Sequence, residues 1–355
     1  MRKILLIIFA FLHTLYGHTQ GLQAMLSHYS TENGLTSNAV SDIIQDKYGY
    51  IWISTWNGLC RYDGYHFFNY TTGTASGIPF LHNRILEIAA DTGSNIWMRM
   101  YDNRIFVLNR KTDCIENPFR NMKDGSIFIS TLPITVSTDG HVYSYIQGKG
   151  IYQLRLSDQQ IHHRLFPLHH LEIKKMVSGH TNQLWIVTTK GLAALNVETG
   201  KIEWIRTVPS QDLSAMTLYR NDLYIGTHGG ELFVLSSTFP YRVTRHVSLG
   251  QEPITSLNVD SHGIIWYTTQ KEGISRYNPV DASKREFTQE VPAPESDTHG
   301  ATLYEFGNLL WAKMNHGGFG YYDRKHDDFK YFYNSPDNSW NLSNTVATYL
   351  ALPEG

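Results

Sequence analysis

An aromatic residue opens a strand-like apolar run seven times along this chain, each time just after a turn rich in Asp, Asn or Gly. The seven are Trp52, Trp97, Tyr143, Trp185, Tyr224, Trp266 and Trp311, at successive spacings of 45, 46, 42, 39, 42 and 45 residues. A repeat of about 40–45 residues with period-two alternation on both sides of each turn is that of a β-propeller blade. The stretch from Asn38 to Tyr70 contains, in order, AVSDIIQ, DKYGY, IWIST, WNG, LCRYD and HFFNY. Its apolar runs are short, rich in β-branched and aromatic residues, and bounded by turn formers, which makes four strands in a meander. The expected fold is therefore all-β: a seven-bladed β-propeller of four-stranded antiparallel blades. Asp, Asn and Gly recur in the first turn because short hairpins need residues that tolerate positive φ or hydrogen-bond their own backbone. The ring after that turn is expected to fill the wedge between adjacent blades, a packing role and not a catalytic one.

A second regularity lies six or seven residues after each aromatic, at Gly58, Asn103, Gly150, Gly191, Gly230, Gly273 and Gly317 or Gly318. These mark the turn between second and third strands, which in a propeller opens on the same face as the connections from blade to blade. Ligand pockets of closed all-β folds lie among such loops. The residues just before each mark give the candidate ligand-binding set Trp56, Arg99, Tyr101, Lys190, His228 and Asn315. Aromatic faces stack on the apolar side of sugar rings, and Arg, Asn and His hydrogen-bond to hydroxyls.

Composition excludes some partners. Thirty Lys plus Arg nearly cancel 32 Asp plus Glu, and the basic residues are scattered, so no stripe for neutralising nucleic-acid phosphates is present. The chain is 41% hydrophobic, enough to bury a large core. Its first residues are different in kind: Arg2 and Lys3, an apolar stretch from Ile4 to Leu12, then a polar tail. That is the layout of a secretory signal peptide, assigned to residues 1–21 with cleavage near Gly17 or Gly21. The apolar stretch is well short of the roughly 20 residues that span a bilayer. Cys60 and Cys114 show no spacing that aligns them for a disulfide, and both are expected to be buried small hydrophobes.

The two ends of the chain echo one another. LSHYSTENGLTSNAVSDII, from Leu26, and FKYFYNSPDNSWNLSNTVATYL, from Phe329, each pair an aromatic strand with a polar turn and a new apolar strand. This predicts a propeller over 22–328 and the first strands of a second propeller over 329–355. The first would close by lending Leu26–Ser30 to the blade built from Ala301 to Asp323, which removes exposed edges.

The segment from Glu32 to Phe67, ENGLTSNAVSDIIQDKYGYIWISTWNGLCRYDGYHF, resembles the two-component regulator propeller repeat of periplasmic sensor regions in hybrid two-component systems of Bacteroides-type bacteria. SLNVDSHGIIWYTTQKEGISRYNP, from Ser256, is a second match. The resemblance implies a periplasmic sensor of an oligosaccharide from polysaccharide breakdown. It also implies a homodimer formed through the full periplasmic region, with kinase, receiver and DNA-binding parts beyond an inner-membrane helix. No kinase, receiver or helix-turn-helix pattern occurs in these 355 residues, so the fragment itself is expected to be neither an enzyme nor a nucleic-acid binder.

Other classes have weaker support. HHRLFPLHH, His162 to His170, is read as a connection between blades three and four, and no Cys, Asp or Glu nearby completes a metal shell. HExxH, Gly-x-Ser-x-Gly and phosphate-loop patterns are absent, and no cofactor is expected. A propeller glycosidase or lyase would need paired carboxylates at the channel mouth, where Asp102 and Glu272 are the candidates. An interaction scaffold or a truncated sensor is the remaining alternative.

Overall fold

The computed structural model describes residues 29–72, 81–122, 128–180, 182–208, 212–269, 273–287, 301–306, 309–314 and 319–332. The expected signal peptide, the expected second propeller beyond Phe332, and Asn315 and Glu272 lie outside them. Among the described residues, twenty-eight strands form seven four-stranded sheets, each a meander in chain order. Blade one comprises β1 (Val40–Gln45), β2 (Ile51–Thr55), β3 (Gly58–Tyr62) and β4 (Phe67–Tyr70). Blade two comprises β5 (Ile85–Ala90), β6 (Ile96–Met100), β7 (Ile105–Asn109) and β8 (Cys114–Glu116). In blade three, β9 (Thr135–Val136) is followed by β10 (Val142–Ile146), β11 (Gly150–Ser157) and β12 (Gln160–Phe166). Blade four is β13 (Ile173–Ser178), β14 (Gln183–Thr188), β15 (Gly191–Asn196) and β16 (Ile202–Trp204). Blade five is β17 (Leu213–Tyr219), β18 (Asp222–Thr227), β19 (Glu231–Ser236) and β20 (Val243–Ser248). Blade six is β21 (Ile254–Val259), β22 (Ile265–Thr269), β23 (Ile274–Tyr277) and β24 (Lys284–Phe287). Blade seven is β25 (Ala301–Phe306), β26 (Leu309–Met314), β27 (Phe319–Asp323) and β28 (Asp328–Phe332). The architecture is the expected seven-bladed propeller.

First strands of successive blades lie side by side, from β1 against β5 through to β21 against β25. Polar side chains stitch them together. Ser41 Oγ donates to the Ile85 carbonyl at 2.6 Å, Asp42 Oδ2 accepts from the Ile88 N–H at 3.0 Å, and Ser214 Oγ donates to the Ile254 carbonyl at 2.6 Å. Asn258 Nδ2 reaches the Leu303 carbonyl at 3.0 Å. The inner strands thus keep polar residues because each one satisfies backbone groups of the next blade.

The apolar core is divided into layers between neighbouring blades. Trp52 packs with Ile85, Ile88, Met98 and Phe106 of blade two, Trp97 with Val142 and Leu154 of blade three, and Tyr143 with Leu184 and Ile186 of blade four. Trp185 packs with Leu223 and Phe233 of blade five, and Trp266 with Leu303, Leu310 and Phe329 of blade seven. All seven repeating aromatics sit on second strands, and Trp52, Trp97, Trp185 and Trp266 are wholly buried.

Three of these indoles are held by an aspartate six residues earlier. Trp52, Trp97 and Trp266 donate Nε1–H to Oδ2 of Asp46, Asp91 and Asp260 at 2.9, 3.0 and 2.9 Å. The other oxygen of each carboxylate closes the hairpin, accepting from the N–H groups of Tyr48 and Tyr50, Gly93 and Asn95, or His262 and Ile264. An arginine from the following blade then approaches the buried charge: Arg324 meets Asp260 at 2.9 Å and Arg110 lies 3.9 Å from Asp46. Blade four has Gly179 at this position, and the Trp185 Nε1 is buried without a partner, its ring edge-on to Tyr241.

The second regularity is a backbone requirement. Gly58, Asn103, Gly150, Gly191, Gly230 and Gly273 all have positive φ. At Gly150 a Cβ would fall 2.1 Å from the Phe166 carbonyl oxygen, so that glycine also permits close approach of the outermost strand. Asn103 adopts φ +62°, and its side chain accepts from Arg99.

Three features differ from expectation. Blade seven is completed by its own β28, paired from Phe319↔Phe332 to Asp323↔Asp328, so the expected boundary at 328/329 cuts a strand. Ser30 instead caps a 3-10 turn over Thr31–Asn33, with Asn33 answering its backbone N–H, and Leu35 is buried with Ile53 and Cys60 of blade one. His162 and His163 belong to β12, the outer strand of blade three, where a solvent-facing edge tolerates histidine as readily as a loop would. Both thiols are free; Cys60 is buried, which pushes its pKa up, but Cys114 is exposed because it opens the outermost strand of blade two.

Two outcomes follow for stability. Trp266→Phe is expected to cost about 1.5–3 kcal/mol more than Trp185→Phe in urea unfolding, because only the first removes a hydrogen bond to an ionised carboxylate. Between blades six and seven, Arg276 and Arg285 each contact Asp327 at 2.7 Å. Burial opposes the Asp327 carboxylate, but hydrogen bonds from Tyr322 and Arg276 outweigh it and hold its pKa below the ordinary value. Burial first, then the bond to Asp327, push Tyr322 up to about 12, so the phenol stays a donor. A carboxyl with a depressed folded pKa contributes stability that is present above its unfolded pKa and lost as pH falls through the folded one. Asp327→Asn should therefore flatten the decline of melting temperature on the acid side.

Candidate functional site

In blades one, two, four and five the turn after the second strand is fastened to the residue that leads into the first strand. The N–H groups of Trp56, Tyr101, Thr189 and His228 donate to the carbonyls of Ala39, Arg84, Glu172 and Asp212 at 3.0–3.2 Å. This puts the β2–β3, β6–β7, β14–β15 and β18–β19 turns on the face that carries the blade-to-blade connections, as expected.

On that face, blades one and two bring together a cluster of exposed groups. Trp56 is 55% exposed and Tyr101 60%, whereas the blade-wedge tryptophans are buried. Arg84, the residue before β5, holds its guanidinium carbon 5.4 Å from the Trp56 ring centroid and 5.8 Å from that of Tyr101. Contacts of this kind contribute about 0.5–1 kcal/mol each at exposed sites and fix the plane of the guanidinium. Beneath the cluster, Asn83 Nδ2 donates to Asn57 Oδ1 at 3.0 Å, and Asn83 Oδ1 accepts from the Thr72 N–H at 2.7 Å. Asn57 Nδ2 donates to the Thr36 carbonyl at 3.2 Å. The turn of blade one and the linker into blade two are thereby locked as one floor. At the rim, Asp102 Oδ2 lies 3.3 Å from His82 Nε2 and 3.4 Å from Arg104 Nε.

The six candidates do not converge. Trp56 and Tyr101 share the cluster. Arg99 is 8% exposed: it sits on β6, paired with Glu87 at 2.8 Å and with Asn103 Oδ1 at 2.8 Å. Glu87 in turn accepts the Ile134 N–H of blade three, so Arg99 braces the joint between blades. Lys190 and His228 are exposed on the equivalent turns of blades four and five, two and three blades further round, with His228 Nδ1 3.0 Å from Asp212. Asn315 lies outside the described residues. Arg84, which the turn spacing did not select, occupies the place expected of Arg99. Asp102, a candidate acid for hydrolysis, is engaged by Arg104 and His82.

Residues 34–57 match the family profile described as "Two component regulator propeller". The match is a single repeat-length stretch within blade one. The repeat spans the Asp46–Trp52 clamp and ends on Trp56 and Asn57, at the exposed cluster. Among solved structures, the extracellular domain of BT3049 from B. thetaiotaomicron, described as a hybrid two component system, is 18% identical. That alignment covers 91% of this chain and 50% of that one, with a TM-score of 0.55. The extracellular domain of BT4673 from the same organism, described as a one component system, is also 18% identical, over 79% of this chain and 38% of that one, with a TM-score of 0.50. Virginiamycin B lyase from Staphylococcus aureus, in a catalytically inactive form with quinupristin, is 14% identical over 78% of this chain and 92% of that one, with a TM-score of 0.55. At such identities the likeness is one of fold. The chain spans half the length of the first of these domains or less. No curated protein matches it.

The geometry separates bracing from display. Trp56→Ala and Tyr101→Ala are each expected to lower unfolding free energy by no more than about 1 kcal/mol, the worth of one exposed ring contact with Arg84. Arg99→Ala is expected to cost about 3 kcal/mol, because it leaves the partly buried Glu87 without its counter-charge. Urea titrations of the three variants check both statements.

Proposed function

We propose that this propeller is the extracytoplasmic ligand-sensing domain of a two-component regulatory system, and that it senses an oligosaccharide released during polysaccharide breakdown. The regulator repeat at 34–57 supports the first part. The exposed Trp56–Arg84–Tyr101 cluster carries the second. Two aromatic faces offer apolar sugar C–H groups a surface, the guanidinium offers donors, and Asn57 and Asn83 supply amides on a rigid floor. Phosphotransfer is assigned to parts of a longer membrane protein, dimeric through its periplasmic region, and this propeller performs no chemistry of its own. A sugar seated here would touch blade one through Trp56 and blade two through Arg84 and Tyr101, and so would bias the joint between them.

Calorimetric titration with a panel of plant, algal and host-glycan oligosaccharides tests the reading. At least one should bind saturably and be recovered unchanged, and Trp56→Ala or Tyr101→Ala should weaken it tenfold or more. Consumption of the saccharide, or affinity that survives the double alanine variant, would contradict it.

A further inference from the structure

The geometry points to an anionic saccharide as the ligand of the cluster, with Arg84 pairing to a carboxylate or sulfate on the sugar; this rests on the ligand-site reading above. Five arginines elsewhere among the described residues are taken up by carboxylates at hydrogen-bond distance or close to it, while others, Arg61 among them, face aromatic rings instead. Arg99 is bound to Glu87, Arg104 to Asp102, Arg276 and Arg285 to Asp327, and Arg324 to Asp260 and Glu305. Arg84 is of the second kind, and unlike the half-buried Arg61 it stands in the open. Among the described residues its guanidinium contacts two aromatic rings and no carboxylate.

An arginine held this way is prepared for an incoming oxyanion. The rings restrict its plane, while its N–H edges stay available for the two-pronged hydrogen bonding that suits carboxylates and sulfates. The nearby charges reinforce the preference. Asp102 is the acid at the rim, and it is already matched by Arg104 with His82 alongside, so Arg84 leaves the cluster with a net positive charge. A neutral sugar would leave the Arg84 fork to water, whereas an acidic one would fill it and still present its ring to Trp56 or Tyr101.

The test is titration of the propeller with trigalacturonate, an unsaturated glucuronate disaccharide and a sulfated galactose disaccharide, each beside its uncharged methyl ester or desulfated partner. At least one charged probe should bind tenfold or more tighter than its uncharged partner, and the preference should fall as salt rises. Which charged probe wins distinguishes carboxylate from sulfate. Arg84→Gln should abolish the preference and lower the melting temperature only by the few degrees that two exposed ring contacts account for. Arg84→Lys, which keeps the charge but not the fork, should retain a reduced preference. Equal binding of charged and uncharged partners, still weakened by Trp56→Ala, overturns the anionic preference and leaves the ligand site standing. No binding by any probe, charged or neutral, overturns both.

Discussion

A four-stranded blade has two apolar faces and cannot bury either alone, so this fold depends on what fixes one blade against the next. In blades one, two and six that is an indole on the second strand, held by a buried aspartate. The carboxylate performs three tasks at one point. It closes the first hairpin through backbone N–H groups, orients the tryptophan in the inter-blade layer, and in blades one and six draws an arginine from the following blade. A buried charge would be costly without partners, and it is tolerated here because each carboxylate accepts from its own hairpin and indole, with Arg324 of the next blade adding a hydrogen bond at Asp260.

The display of the exposed cluster follows from that clamp. Once the second strand is fixed, the turn that ends it must emerge on the connecting face, and the recurring backbone bond from that turn to the entry of the first strand keeps it there. Among the described turns, those of blades one and two carry the exposed aromatics on this frame. Trp56 and Tyr101 stand outside the packed layers, and the linker residue Arg84 lies between them. Fold and site therefore use aromatic residues in opposite ways, a few positions apart.

Much of the blade architecture was legible in the sequence because period-two alternation and turn chemistry are local, and the seven aromatics repeat them. The exposed positions Trp56 and Tyr101 were legible for the same reason: they are counted from a residue with positive φ. Arg99 was placed wrongly because the count does not say where the second strand stops, and β6 runs on to Met100. Arg84 was missed because it lies in a linker with no repeat to align. Closure failed as a reading because the echo between Leu26 and Phe329 is one of composition. Whether an aromatic strand pairs within its own blade or is lent to another depends on contacts distant in the chain, and Phe319↔Phe332 pairing settles it locally.

The central claim is that ligand contacts Trp56 at the joint of blades one and two. Incorporating 5-fluorotryptophan and recording fluorine spectra during oligosaccharide titration tests it directly, with the Trp56 signal assigned by Trp56→Phe. The account predicts a saturable shift of that resonance, with the buried Trp97, Trp185 and Trp266 signals nearly still. Saturable binding that leaves the Trp56 resonance unmoved would contradict it.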